Sequence, residues 1–173
     1  MKITPFNHLL LRIFDVPIFL YQNNYDLEPS EALPVSDNLD LKAFLQVRQD
    51  NPNEIKISML LQTLEKGKSV LDFTALCTAF FRSEIPFPID FKEFTKEQKR
   101  ILFTALSTTF STFRGFLLCK LPLVIDHAGT ENPRNIIPLV PLNELLDALE
   151  EGNNEAIDAL QDEDGKKGNP KSE

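Results

Sequence analysis

Ser69-Val-Leu-Asp-Phe-Thr-Ala-Leu-Cys-Thr-Ala-Phe-Phe-Arg-Ser83, followed by Glu84-Ile-Pro-Phe-Pro-Ile-Asp90 and by Thr95-Lys-Glu-Gln98 with the apolar run to Phe116, is the stretch whose reading decides the fold. It carries ten of the fourteen phenylalanines of the chain: Phe73, Phe80, Phe81, Phe87, Phe91, Phe94, Phe103, Phe110, Phe113 and Phe116. Aromatic side chains bury more apolar area than any others, so this density marks a core. Ser69-Val-Leu-Asp72 has the form of a capping box with Asp72 in place of the usual Glu. It predicts a helix to about Arg82 carrying Leu71, Phe73, Leu76, Cys77, Phe80 and Phe81, apolar over more than half its girth and therefore central. Pro86 and Pro88 force an extended connection. Thr95-Lys-Glu-Gln98 is a cleaner capping box, and Ile101, Leu102, Ala105, Leu106, Phe110 and Phe113 follow it at helical spacing. That helix ends at Arg114 or continues through Phe116 to Lys120. A strand from Phe116 to Ile125 is the competing reading, which Pro122 would confine to an edge.

Outward from this stretch, Leu39, Leu41, Phe44, Leu45 and Val47 fit one face of a helix that begins after Ser36 or Asp37 and stops before Asn51-Pro52-Asn53. A second helix starts near Asn53, with Ile55, Met59, Leu60 and Leu64 as its inner face, and closes at Gly67 through a left-handed cap. Residues 1–36 contain Pro5, Pro17, Pro29 and Pro34, which leave no room for a long helix. They read as an extended arm in which the segments 9–14 and 16–21 form two short strands around Asp15, or a single helical turn and a strand. On the C-terminal side, residues 126–141 read as loop. Leu142, Leu145, Leu146 and Leu149 then form a helical stripe that Ala156, Ile157 and Leu160 resume in phase. From Gln161 onward nothing can be buried.

The fold expected from these patterns is mainly α: one compact helical domain of five or six helices, with a proline-punctuated N-terminal arm and an acidic flexible tail. Its divisions are an arm at 1–36, a helical domain at 37–160 and a disordered tail at 161–173. Within the domain, 69–116 is the Phe-rich core and 142–160 an acidic amphipathic helix.

The formal net charge of −8 is placed unevenly: residues 1–68, 69–125 and 126–173 sum to −2, +2 and −8. Without a basic stripe the chain lacks the charge that neutralises phosphates, which argues against direct binding of nucleic acid or anionic lipid. Pro5, Asn7 and His8 precede any apolar run, and Arg12, Asp15 and Pro17 interrupt the next one, so no signal peptide is read. The apolar run 116–125 is broken by Lys120 and Pro122, short of the roughly 20 residues that span a bilayer. A cytoplasmic protein with Cys77 and Cys119 as reduced, buried thiols is expected, the alternative being one bridge between them in an oxidising compartment.

Two enzymatic arrangements compete with a non-enzymatic reading. Cys77 or Cys119 with His127 as base, oriented by Asp126 or Glu131, would make a hydrolase, but a thiol inside an apolar run is poorly placed to ionise. Asp90, Glu93 and Glu97, with Asp72 or Glu84 added, could serve as acid, base or metal ligands, although Lys92 and Lys96 among them suit a solvated helix entrance. His8 and His127 have no partner at zinc spacing, and no cofactor or metal is expected. The acidic stretch 144–164 holds nine acids and no base around its leucine stripe. It can pack on the domain, or dock into a basic-rimmed groove of another protein through Leu142, Leu145, Leu146, Leu149, Ile157 and Leu160. The expected function is a non-enzymatic protein-interaction module, a subunit or adaptor of a larger intracellular or viral assembly, using the arm and the acidic helix, with a protein partner or a second copy. An inhibitor or immunity-type protein that blocks a basic site is the third reading.

Overall fold

Between Glu54 and Thr63 the side chains alternate: Ile55, Ile57, Met59 and Leu61 are buried, whereas Glu54, Lys56, Ser58 and Gln62 are half-exposed. A period of two belongs to a strand. In the computed structural model, which describes residues 9–24, 26–27, 31–121, 140–141 and 143–152, this segment is the third strand of a four-stranded sheet. The strands are β1 (Leu9–Asn23), β2 (Leu39–Val47), β3 (Glu54–Thr63) and β4 (Leu71–Ser83). They lie in the order β1-β4-β3-β2, every neighbouring pair antiparallel.

On β4 the inner face is Leu71, Phe73, Ala75, Cys77, Ala79 and Phe81, all buried. The small residues at its middle leave space for the long helix α1 (Lys96–Lys120), which packs against β1, β3 and β4. α1 presents Ile101, Leu102, Ala105, Leu106, Phe110, Phe113 and Leu117 to the sheet. It opens with the expected capping box: Gln98 N donates to Thr95 Oγ1 at 3.3 Å and Thr95 N donates to Gln98 Oε1 at 2.7 Å. The Gln98 amide also donates to the Pro86 carbonyl at 2.6 Å, which ties the proline connector to the helix start. α1 is long and apolar enough to cross a bilayer by length and composition, yet its apolar side is turned onto the sheet.

Residues 143–152 form a second helix, α2, with Leu145, Ala148 and Leu149 buried in the same core. Its last described residue is Gly152, where a Cβ would collide with the Ala43 carbonyl oxygen and crowd the Phe44 ring. Glycine therefore lets α2 close against β2.

β1 and β2 occupy opposite edges, so the chain after Asn23 must cross the end of the sheet. The β3–β4 loop receives this crossing. Leu33 N donates to the Lys68 carbonyl, and the Asn24 amide donates to the Ser69 carbonyl and to Asp72 Oδ2. Buried Asn38 donates to the Glu65 carbonyl and to Ser69 Oγ, and accepts from Glu65 N, each at 2.9 Å. Gly67, at φ +76°, supplies the left-handed turn of that loop.

The expected helical domain of five or six helices is thereby overturned. Segments 39–47, 54–63 and 71–83 are strands, and α1 and α2 are the α-helices among the described residues. The chain is mainly β, not α-helical. Ser69 and Asp72 do not cap a helix; they accept the Asn38 and Asn24 amides, and Gly67 N donates to Asp72 Oδ2 at 2.7 Å. Gly67 has the left-handed conformation expected of it, but in a hairpin loop rather than at a helix end. The misreading has a physical cause. Phe44, Leu60, Leu76 and Phe80 lie on the face opposite the core and interrupt an otherwise regular alternation, so that the apolar residues of each strand also fit a helical spacing. The proline-rich arm contributes one long strand, β1. Of the segment 116–125, residues through Lys120 are the end of α1, which excludes a strand there.

Candidate protein-binding surface

β1 joins the sheet only through β4, so among the described residues its other backbone edge faces outward. An edge strand presents unpaired N–H and C=O groups, and proteins commonly blunt such edges with charge, proline or bulges. β1 carries a little of each. Its register shifts between Leu11 and Ile13 and between Asp15 and Ile18, close to Arg12, Asp15 and Pro17. Asp15 Oδ1 accepts from Val16 N at 2.8 Å inside the second irregularity. The remainder of this 15-residue strand is almost entirely apolar.

The register defines what surrounds it. Ile13 lies opposite Phe80, Ile18 opposite Leu76 and Leu20 opposite Thr74. One strand further in, Leu60 lies opposite Leu76 and Lys56 opposite Phe80. All of these point away from α1. Exposures there are 58% for Leu10, 58% for Ile13, 40% for Ile18, 67% for Leu20 and 39% for Phe80. Ile18, Leu76 and Leu60 thus form an apolar row across three strands, and Lys56 Nζ lies 5.8 Å above the Phe80 ring at its border. On the inner side β1 also overhangs the core: Leu11 and Tyr21 are exposed. Phe19 is held between Tyr21 and Phe116, both at 5.6 Å between ring centroids. An apolar patch of this kind beside an open strand edge is the candidate for an interaction surface.

The residues singled out from sequence fall elsewhere. Leu145 and Leu149 are 2% and 0% exposed and Leu146 is partly buried, so these side chains of the acidic stripe are covered by the domain itself. Leu142, Ile157 and Leu160 lie outside the described residues, as does His127. Cys77 is buried and Cys119 is exposed, contrary to the expectation that both are core residues. Burial pushes the Cys77 thiol up to about 12, far from the range of a nucleophile at neutral pH. Asp90 caps a short 3-10 turn, Phe91–Glu93, by accepting from Lys92 N at 2.8 Å. Among the described residues no three His, Cys, Asp or Glu side chains gather where a metal could be held. The sequence signal for the β1 surface was present as the runs Leu9-Leu-Leu and Ile18-Phe-Leu-Tyr, in the arm rather than in the leucine stripe.

Fold and surface define a class: a four-stranded antiparallel sheet, backed by one long helix, with an open apolar edge. Neither a known family nor a curated protein matches the sequence. The solved structures that this chain resembles over part of its length include two of low sequence identity. One is a SecB-like chaperone from Mycobacterium tuberculosis, in complex with a ChAD peptide from an antitoxin, at 13% identity and TM-score 0.42, covering 65% of this chain and 80% of that one. The other is a protein of unknown function from Streptococcus agalactiae, at 13% identity and TM-score 0.36, covering 65% of this chain and 89% of that one.

Proposed function

We propose that this chain is a non-enzymatic protein-interaction module, an adaptor or subunit of a larger assembly, whose partner adds an extended apolar segment beside β1. The observation that carries the reading is the exposure of Leu10, Ile13, Ile18, Leu20 and Phe80 beside the open edge of β1. A strand laid along that edge gains main-chain hydrogen bonds. Its alternate side chains cover the apolar rows, so affinity comes from the backbone and selectivity from the side chains. The occupant is an extended polypeptide with apolar residues on one face, because β1 offers a long edge with only Arg12 and Asp15 charged.

The experiment titrates a fluorescein-labelled 12-residue peptide of alternating valine and threonine against the wild type and against Ile13→Lys with Leu20→Lys. Both positions are well exposed, so the double variant keeps the fold. Its affinity drops at least tenfold if the reading is right. An unchanged affinity in a variant with native circular dichroism overturns it. So does sedimentation of the wild type as a stable dimer that the double variant abolishes, since a second copy would then be the occupant.

A further inference from the structure

At the opposite edge of the sheet, β2, α1 and α2 leave a cavity of about 320 Å³. Leu39, Leu41, Leu61 and Phe110 line its interior, with Ala148 contributed by α2. Leu61 and Phe110 are core residues, so the cavity reaches down to the main core. Glu144, Asp147 and Glu151 stand at its rim, exposed. Positions i, i+3 and i+7 lie on one side of a helix, which places the three carboxylates around the same opening. Among the described residues no basic side chain lines the cavity. Among the described residues the three carboxylates make no hydrogen bond or ion pair.

An apolar interior beneath an anionic rim suits a side chain with a long aliphatic stem and a cationic head, because lysine and arginine bury the stem and keep the charge at a polar boundary. The guanidinium adds planar, charge-assisted hydrogen bonds to carboxylates. The volume stands at the lower end of the roughly 300–1,000 Å³ of small-molecule sites, the right scale for one long side chain. We infer that this cavity receives an arginine or lysine side chain of a partner polypeptide, its stem against Leu39, Leu41 and Leu61 and its cation among Glu144, Asp147 and Glu151. The site lies across the sheet from β1 and does not depend on strand addition there.

The test follows the methyl groups of the full chain by NMR during titration with acetyl-Gly-Ser-Leu-Arg-Leu-Ser-Gly-amide. The control is the same peptide with citrulline, the neutral isostere, in place of arginine. The arginine peptide is expected to shift the Leu39, Leu41, Leu61 and Ala148 methyls saturably, and the citrulline peptide to bind about tenfold more weakly, the loss of one charge-assisted contact. The exposed triple variant Glu144→Gln, Asp147→Asn, Glu151→Gln keeps the fold and removes that preference. Equal affinities for the two peptides, or a preference that survives in the triple variant, overturn the inference. Shifts produced by spermidine but not by the arginine peptide overturn the polypeptide as occupant. The methyls of Leu10, Ile13, Ile18 and Leu20 report on β1 in the same spectra, so failure at one edge is read apart from failure at the other.

Discussion

Leu149→Ala tests whether α2 belongs to the fold. The Leu149 side chain is 0% exposed and shares the core with Leu145 and Ala148. Buried Leu→Ala changes cost about 2–5 kcal/mol, rising with the cavity that cannot collapse. α2 packs on the domain through one face, so it can settle into part of the vacated space, which puts the expected loss near 3 kcal/mol, in the lower half of that range. With a urea m-value of about 2 kcal/mol/M, the denaturation midpoint falls by about 1.5 M. Leu146, only partly buried, should cost about 1 kcal/mol when truncated. Gly152→Ala acts on the same docking by a different route, because its new methyl group meets the Ala43 carbonyl. Both changes loosen one helix, so the double variant loses less than the sum of the single losses. Urea unfolding followed by far-ultraviolet circular dichroism measures all four. A Leu149→Ala midpoint within 0.2 M of the wild type (about 0.4 kcal/mol at that slope), or a larger loss from Leu146→Ala, would refute the docked position of α2.

Other perturbations probe the rest of the frame. Asn38→Ala removes three hydrogen bonds to the β3–β4 loop from a buried position, and denaturation should show a loss of about 3 kcal/mol. Thr95→Ala deletes one half of the capping box of α1 and should lower stability by about 1 kcal/mol by the same measurement. Native-state alkylation at neutral pH should modify Cys119 quickly and Cys77 only on unfolding. Because burial raises the Cys77 thiol from 9.0 to about 12, the folded state disfavours the thiolate. Its contribution to stability is complete below pH 9 and lost as pH rises through 12, so Cys77→Ala should flatten the alkaline limb of a stability–pH curve.

How much of this was legible in the sequence depended on how local the signal was. The α1 entrance is written in four consecutive residues, Thr95 to Gln98, whose side chains satisfy one another's backbone, and both halves of that box form. β2, β3 and β4 were hidden because a strand is recognised by what faces away from the core. There Phe44 in β2, Leu60 in β3, and Leu76 and Phe80 in β4 break an otherwise regular alternation, so the apolar residues of each strand can also be fitted to a helical spacing. The residues that concealed the strands are therefore largely the ones that make the outer apolar rows. The pairing of Ile13 with Phe80 and of Ile18 with Leu76 joins positions far apart in the chain, a relation no local pattern carries. The leucine stripe of α2 was legible as a helix face. Whether it met the domain or another protein depended on the groove between β2 and α1, which exists only in the folded chain.

Hydrogen exchange along β1 is the most direct measurement of the central claim. If a partner strand adds to this edge, saturating peptide should slow exchange of the outward-facing amides between Leu9 and Asn23 about tenfold or more, the effect of closing open edge hydrogen bonds, while amides in β3 stay unchanged. Tight peptide binding with no added protection in β1 would contradict the account.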